Sequence, residues 1–413
     1  MADIKPFQCI RPAVEVADKV AALPYDVYSR KEACEEVEGK PLSFLNIDRA
    51  ETQFDSSVDT YADCVYDKAR ELLDKAIADG VFVTDTDKAY YIYELTMDGR
   101  SQTGIVACAS IDDYLNNRIK KHEKTRADKE LDRINHVDRT SAQTGPIFLA
   151  YRANEVINSV VSKAKEMPAL YDFTSDDGIS HKVWKIADST DVTAISDAFE
   201  SINSIYIADG HHRAASAVKV GLKRREAHPD YTGEEEFNYF LSVLFPDEEL
   251  MIMPYNRVVK DLNGLTTEEF LESLTKYFTV EEMGKKAFYP ESKGSYGMLI
   301  DDEWYLLSAK ETIMSEDPVD GLDVAILQDY LLTPVLGIGD PRVDKRIAFI
   351  GGIRGLSELE KRVNEDMKIA FSMYPTSIAE LFDVADADML MPPKSTWFEP
   401  KLRSGLFIHR IEE

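Results

Sequence analysis

Apolar residues follow two rhythms along this chain. Short runs rich in β-branched and aromatic residues, at 89–95, 103–109, 146–151, 204–207 and 239–245, have the length and composition of strands. The first two flank Asp98-Gly99-Arg100, a turn that signals a hairpin. Elsewhere the apolar spacing lengthens to that of a helix, most clearly over 61–73, and Thr266 ahead of Glu268 and Glu269 marks a helix start for 266–278. Further strands are expected at 296–300 and 304–308, and the proline-flanked stretch 391–401 reads as an ordered loop. Gly351-Gly352 after 346–350 is another strand-to-turn signal, and the charges before it, Asp340, Arg342, Asp344 and Lys345, read as structural. No repeat, heptad run or low-complexity linker interrupts the pattern. Mixed elements without a regular strand-helix-strand series predict an α+β protein.

The chain's 413 residues exceed one ordinary core at about 150 residues per domain, so two or three units are expected. The boundaries predicted are 1–110 for an N-terminal α+β unit, 111–260 for a central core and 261–413 for a C-terminal α+β domain. With 48 Lys+Arg against 75 Asp+Glu, the formal charge of -27 disfavours nucleic acid and anionic membrane as partners. No apolar signal core and no spanning run of about eighteen residues is found, which makes a cytoplasmic protein the expectation. Cys9, Cys34, Cys64 and Cys108 form no CxxC pair and read as buried thiols of a reducing compartment.

Against this background the run Tyr206-Ile-Ala-Asp-Gly-His-His-Arg213 stands out. A strand ending at Ile207, a turn at Gly210 and a helix opening at Arg213 would expose backbone N–H groups and the positive end of a helix dipole, which suits an anion such as phosphate. The plainer alternative is a capped junction, with Asp209 accepting helix N–H groups and the histidines packing. His211 and His212 are adjacent and diverge on any regular backbone, so a metal held by both is not expected.

Two other basic islands matter because the rest is so acidic. Residues 118–129 hold Arg118, Lys120, Lys121, Lys124, Arg126 and Lys129 against Glu123 and Asp128, without the sign alternation of a solvated helix face. Residues 394–403 hold Lys394, Lys401 and Arg403 with two hydroxyls, Ser395 and Thr396, beside the first lysine. Phosphoryl transfer needs such cations together with a carboxylate to take the proton of the attacking hydroxyl. Glu123, alone among cations, is the candidate; otherwise it is a salt-bridged surface glutamate. No GxxxxGK[ST] or GxGxxG loop occurs, and His122-Glu123 fails the HExxH spacing because position 126 is arginine.

These motifs, Pro-Tyr-Asp-Val at 24–27, Ile-Lys-Lys-His-Glu-Lys-Thr at 119–125, Gln-Thr-Gly-Pro at 143–146, Ala-Asp-Gly-His-His-Arg at 208–213 and Met-Pro-Pro-Lys-Ser-Thr-Trp-Phe at 391–398, resemble those of a widespread bacterial and archaeal family catalogued as a domain of unknown function, number ten-fifteen. Asp-Gly-His-His-Arg also resembles the signature of the free serine kinases of the ParB and sulfiredoxin superfamily. That likeness implies a ParB/sulfiredoxin-like central core and a kinase forming O-phosphoserine from free L-serine. ATP, ADP or pyrophosphate would be the donor, with Mg²⁺. It makes Glu123 the catalytic base and puts Asp209 near Mg²⁺ or the hydroxyl. Lys120, Lys121, His122, Lys124, Thr125, Arg126, Gly210, His211, His212 and Arg213 are implied at phosphate, and Lys394, Ser395, Thr396 and Lys401 at substrate. Asp26, Gln143 and Thr144 belong to the family pattern and are assigned to substrate, their individual roles open. Sulfiredoxin's cysteine has no counterpart in this run, which excludes sulfinic acid reduction. A nucleotide-sensing module without turnover and a phosphate-ester hydrolase are the competing readings.

Overall fold

The hairpin forms as expected, and its turn explains why. In the computed structural model, which describes residues 2–125 and 127–412, Asp98 and Gly99 both adopt positive φ, 52° and 79°, and join strands β1 (Tyr90–Met97) and β2 (Arg100–Ser110). A turn of that hand matches the twist of the paired strands. Around this hairpin stands a nine-stranded mixed sheet. Its other members include β3 (Ile119–Lys120), β4 (Ile147–Tyr151), β5 (Tyr171–Thr174), β6 (Ser180–Ile186), β7 (Ile205–Asp209) and β8 (Tyr239–Pro246). The order is β3-β7-β4-β8-β2-β1-β6-β5, with Ile4–Lys5 also pairing with β2. β8 is buried along its whole length, in keeping with a sequence that is apolar except for Ser242. Ile92, Ile105, Leu149, Ile207 and Leu244 form part of one core under the sheet.

The chain divides into two units, residues 1–250 with 400–413, and residues 251–399. The boundary expected at 110 is therefore corrected: β1 and β2 are interior strands of the same sheet as β4 and β8, so cutting there would split a hydrogen-bonded layer. The expected boundary at 260 moves to 250, because Tyr255–Val259 is an inner strand of the second unit's six-stranded antiparallel sheet. The third expected segment also does not stay together. Ile408–Arg410 pairs with Cys9–Pro12 and with Ala142–Gln143 in a small sheet of the first unit. Both units mix helices and sheet, so the protein is α+β.

Three helices of the first unit frame its motif segments: α1 (Asp63–Ala78), α2 (Ala127–Thr140) and α3 (His211–Ala227). The thiol expectation holds for Cys9 and Cys108 only, since Cys34 and Cys64 are exposed. Among the described residues no helix is long and apolar enough to cross a membrane.

Candidate active site

Eighty-six positions separate Glu123 from Asp209 in sequence, and a two-residue strand removes that distance. β3 pairs in parallel with β7, Ile119 opposite Ile205 and Lys120 opposite Tyr206, so the segment leaving β3 runs beside the end of β7. There His122 meets His211 edge to face, ring centroids 4.5 Å apart. Glu123 Oε2 lies 4.0 Å from His211 Nδ1, with its side chain 48 % exposed. The catalytic glutamate expected from sequence thus stands at the entrance to α3.

The β7-to-α3 junction is tightly built. The register with β4 shifts between Ile207 and Asp209, which re-aims the Asp209 side chain. Gly210 is the N-cap of α3 at φ 95°, so the cap residue brings no side chain of its own to the first turn. A Cβ at Gly210 would come within 3.2–3.3 Å of the Arg213 guanidinium, so glycine serves both the backbone conformation and the close approach. Arg213 donates to the Pro146 carbonyl at 2.6 Å, which fixes it against the Gln-Thr-Gly-Pro turn.

Lys401 Nζ lies 3.0 Å from Asp209 Oδ2, bringing the returning tail of the first unit to the motif. Burial alone would raise the Asp209 carboxyl; the Lys401 ammonium and the Arg213 guanidinium outweigh it and hold the group well below the usual carboxylate range. Such a carboxylate is too weak a base to take a proton, and it suits the holding of Lys401. The histidines behave differently from a phosphate-binding pair. Burial pushes His122 down to about 4 and His211 well below its ordinary value, so both rings are neutral packing groups near neutral pH. Among the described residues, His122 Nδ1 and His211 Nε2 are buried without hydrogen-bond partners.

The basic island disperses. Lys121 sits over the Tyr114 ring at 4.1 Å and donates to the Tyr114 carbonyl, and burial lowers its pKa. Thr125 donates to Glu130, which also pairs with Lys219, so this hydroxyl is held by a carboxylate. Lys120 is half-buried in β3, Lys124 is exposed, and His212 is half-buried in the first turn of α3. Arg126 lies outside the described residues. Gln143 is corrected from a substrate group to a brace: its amide donates to the Tyr239 carbonyl and accepts from Leu241 N–H. Thr144 donates to Asp48 at 2.8 Å. Asp26 is exposed on a 3-10 turn, Tyr25–Val27.

Lys394, Ser395 and Thr396 belong to the second unit. Lys394 is exposed with φ 60°, its Nζ 5.4 Å from the Tyr255 ring centroid, and its carbonyl accepts from buried Arg257. Ser395 is buried and donates to the Pro392 carbonyl, while Thr396 is half-buried. Trp397 packs edge-on against Tyr255 and over Gly351, where a Cβ would lie 2.7 Å from the indole. That close approach gives the first glycine of the Gly351-Gly352 pair a structural reason.

Among the described residues no three His, Cys, Asp or Glu side chains converge as a metal site, and the Asp209 oxygen facing Lys401 is already paired. These residues do not fit a resident Mg²⁺. Asp48, Arg133 and His136, which sequence reasoning passed over, line cavities of the same unit.

An α+β fold in which Lys401 and Arg213 meet Asp209 at a helix start is the class defined by these observations. The chain belongs to the family described as Protein of unknown function (DUF1015), whose profile matches residues 4–325. No curated protein matches the sequence. Among solved structures the chain is similar to a free serine kinase in complex with AMP, at 13% identity and TM-score 0.36, over 73% of this chain and 91% of that one. It is also similar to a conserved hypothetical protein from Pyrococcus furiosus, at 14% identity and TM-score 0.34, over 74% and 94%. A third is SbnI with C-terminal truncation from Staphylococcus aureus, at 11% identity and TM-score 0.34, over 72% and 85%.

Proposed function

We propose that this protein is a phosphotransferase that moves a phosphoryl group onto the hydroxyl of free L-serine, giving O-phosphoserine. The reading is carried by one observation: the Glu123 carboxylate stands 4.0 Å from His211, at a helix start capped by Gly210 where Arg213 and Lys401 gather around Asp209. Donor phosphates accept from N–H groups of the first turn of α3, helped by the helix dipole. Arg213 and Lys401 offset the charge that spreads over the transferring oxygens. Glu123 takes the serine proton as the new O–P bond forms, and the leaving phosphate departs with the electrons of the old one. Mg²⁺ enters with the donor as part of the substrate. Serine as the acceptor rests on the Asp-Gly-His-His-Arg resemblance.

A screen of ATP, ADP and pyrophosphate with free serine and Mg²⁺ tests this. Absence of phosphoserine from every donor, with folded protein, removes the reading. The second reading, a nucleotide-sensing module, is favoured by the burial of His122 and His211, which serve shape and carry no charge. Calorimetric nucleotide binding without product, together with a change in oligomeric state, selects it.

A further inference from the structure

Glu123 stands on a stretch of chain that belongs to no regular element. β3 ends at Lys120 and α2 begins at Ala127, and residues 121–125 between them form neither helix nor strand. A general base must come within about 2.6–3.2 Å of the proton it takes, so a span without helix or ladder bonding needs other fixing points. Side chains supply them at both ends. Lys121 Nζ donates to the Tyr114 carbonyl at 3.3 Å, and the buried His122 ring packs on His211. At the far end the Thr125 hydroxyl donates to Glu130 Oε1.

Glu130 joins that far end to the helix of the phosphate motif. From α2 its carboxylate accepts from Thr125 on one oxygen and from Lys219 of α3 on the other. Burial alone would raise the Glu130 carboxyl; the Lys219 ammonium and the Thr125 hydroxyl outweigh it and lower it. A charged acceptor makes the stronger bond to a hydroxyl. The main chain of Glu130 is tied to the same helix. Ser216, fully buried, shares its hydroxyl between the Glu130 carbonyl at 3.1 Å and the His212 carbonyl at 2.7 Å. Thr125 and Glu130 are five residues apart, so their contact is not the three-residue reciprocity of a helix capping box. Glu130 is 6 % exposed, and a buried ion pair adds little net stability over apolar packing. What this one contributes is geometric.

We propose that Glu130 is a positioning residue for Glu123: bound to α3, it pins Thr125 and so holds the glutamate at a fixed reach from the first turn of that helix. This rests on the reading of Glu123 as the proton acceptor. With the full chain and whichever donor yields phosphoserine, Glu130→Gln and Thr125→Val are each expected to lower kcat about tenfold or more, as a small displacement of a reacting group does. Donor KM should stay within about twofold, because Arg213 and Lys401 are untouched. Thr125→Ser, which restores the hydroxyl, should recover most of the loss. The double variant should be no slower than the slower single one, because both changes cut the same link. Trypsin gives a readout independent of turnover. Lys121 and Lys124 bracket Glu123, and cleavage there in native protein should quicken about tenfold in both variants at an unchanged thermal midpoint. Thr125→Val, outside any helix or strand, keeps the test decisive where Glu130→Gln fails to fold. A kcat equal to wild type, kcat and donor KM changing together, additive losses in the double variant, or unchanged cleavage of Thr125→Val overturns the inference. Wild-type protein that forms no phosphoserine from any donor removes the reading of Glu123 instead, and the cleavage rates then decide by themselves whether Glu130 holds the span.

Discussion

Under the proposed reading, Glu123 and Gly210 divide the work of the site between chemistry and shape. Glu123→Gln preserves size and hydrogen bonding but removes the proton acceptor, so turnover should fall about 10²–10⁴-fold with donor affinity retained. Steady-state kinetics beside calorimetry reads both, and unchanged turnover would return Glu123 to the surface. Gly210→Ala places a methyl against the Arg213 guanidinium at a φ that favours glycine. It should cost about 1 kcal/mol or more of stability and weaken phosphate binding, measured by thermal unfolding and pyrophosphate titration. Residues of this kind were legible in the sequence because each was out of place: a glycine between acid and histidine, a lone glutamate among lysines. Asp48, Arg133 and His136 were not. Arg133 and His136 sit three apart on one face of α2, and Asp48 is far from both in sequence; each is ordinary in its own neighbourhood.

At the scale of elements, the pairing of β3 with β7 does most to assemble the site. Periodicity could not reveal it, because a two-residue strand has no pattern of its own and parallel partners carry no turn signal. Longer elements, such as the hairpin of β1 and β2, were legible because turn chemistry and alternation agree. The packed imidazoles beside that pairing make a pH prediction. An unfolded chain binds protons on His122 below its ordinary 6.5, whereas the folded ring stays neutral down to about 4. Since the unfolded state takes up more protons in that window, stability should fall as pH drops from 6.5 towards 4. Unfolding measured at pH 7 and pH 5 checks the sign. In NMR titration neither His122 nor His211 should show a midpoint between pH 5.5 and 8, and a midpoint near 6.5 would place that ring in solvent.

On the scale of the whole molecule, the first unit is discontinuous. Its small sheet needs Ile408–Arg410, and its site needs Lys401, both of which come after the entire second unit in sequence. No composition shift marks 250 or 400, so the sequence reading placed these residues with their nearest neighbours along the chain. A variant ending at residue 399 should retain the hydrogen-exchange protection of 251–399. It should lose protection at Cys9–Pro12 and Ala142–Gln143, and undiminished protection there would make the tail dispensable.

That detour also orders events during synthesis. The ribosome releases Asp209 long before the lysine that neutralises it, and an entire neighbouring unit must emerge in between. A nascent chain therefore carries Asp209 without its lysine partner until the segment from 400 onward has emerged.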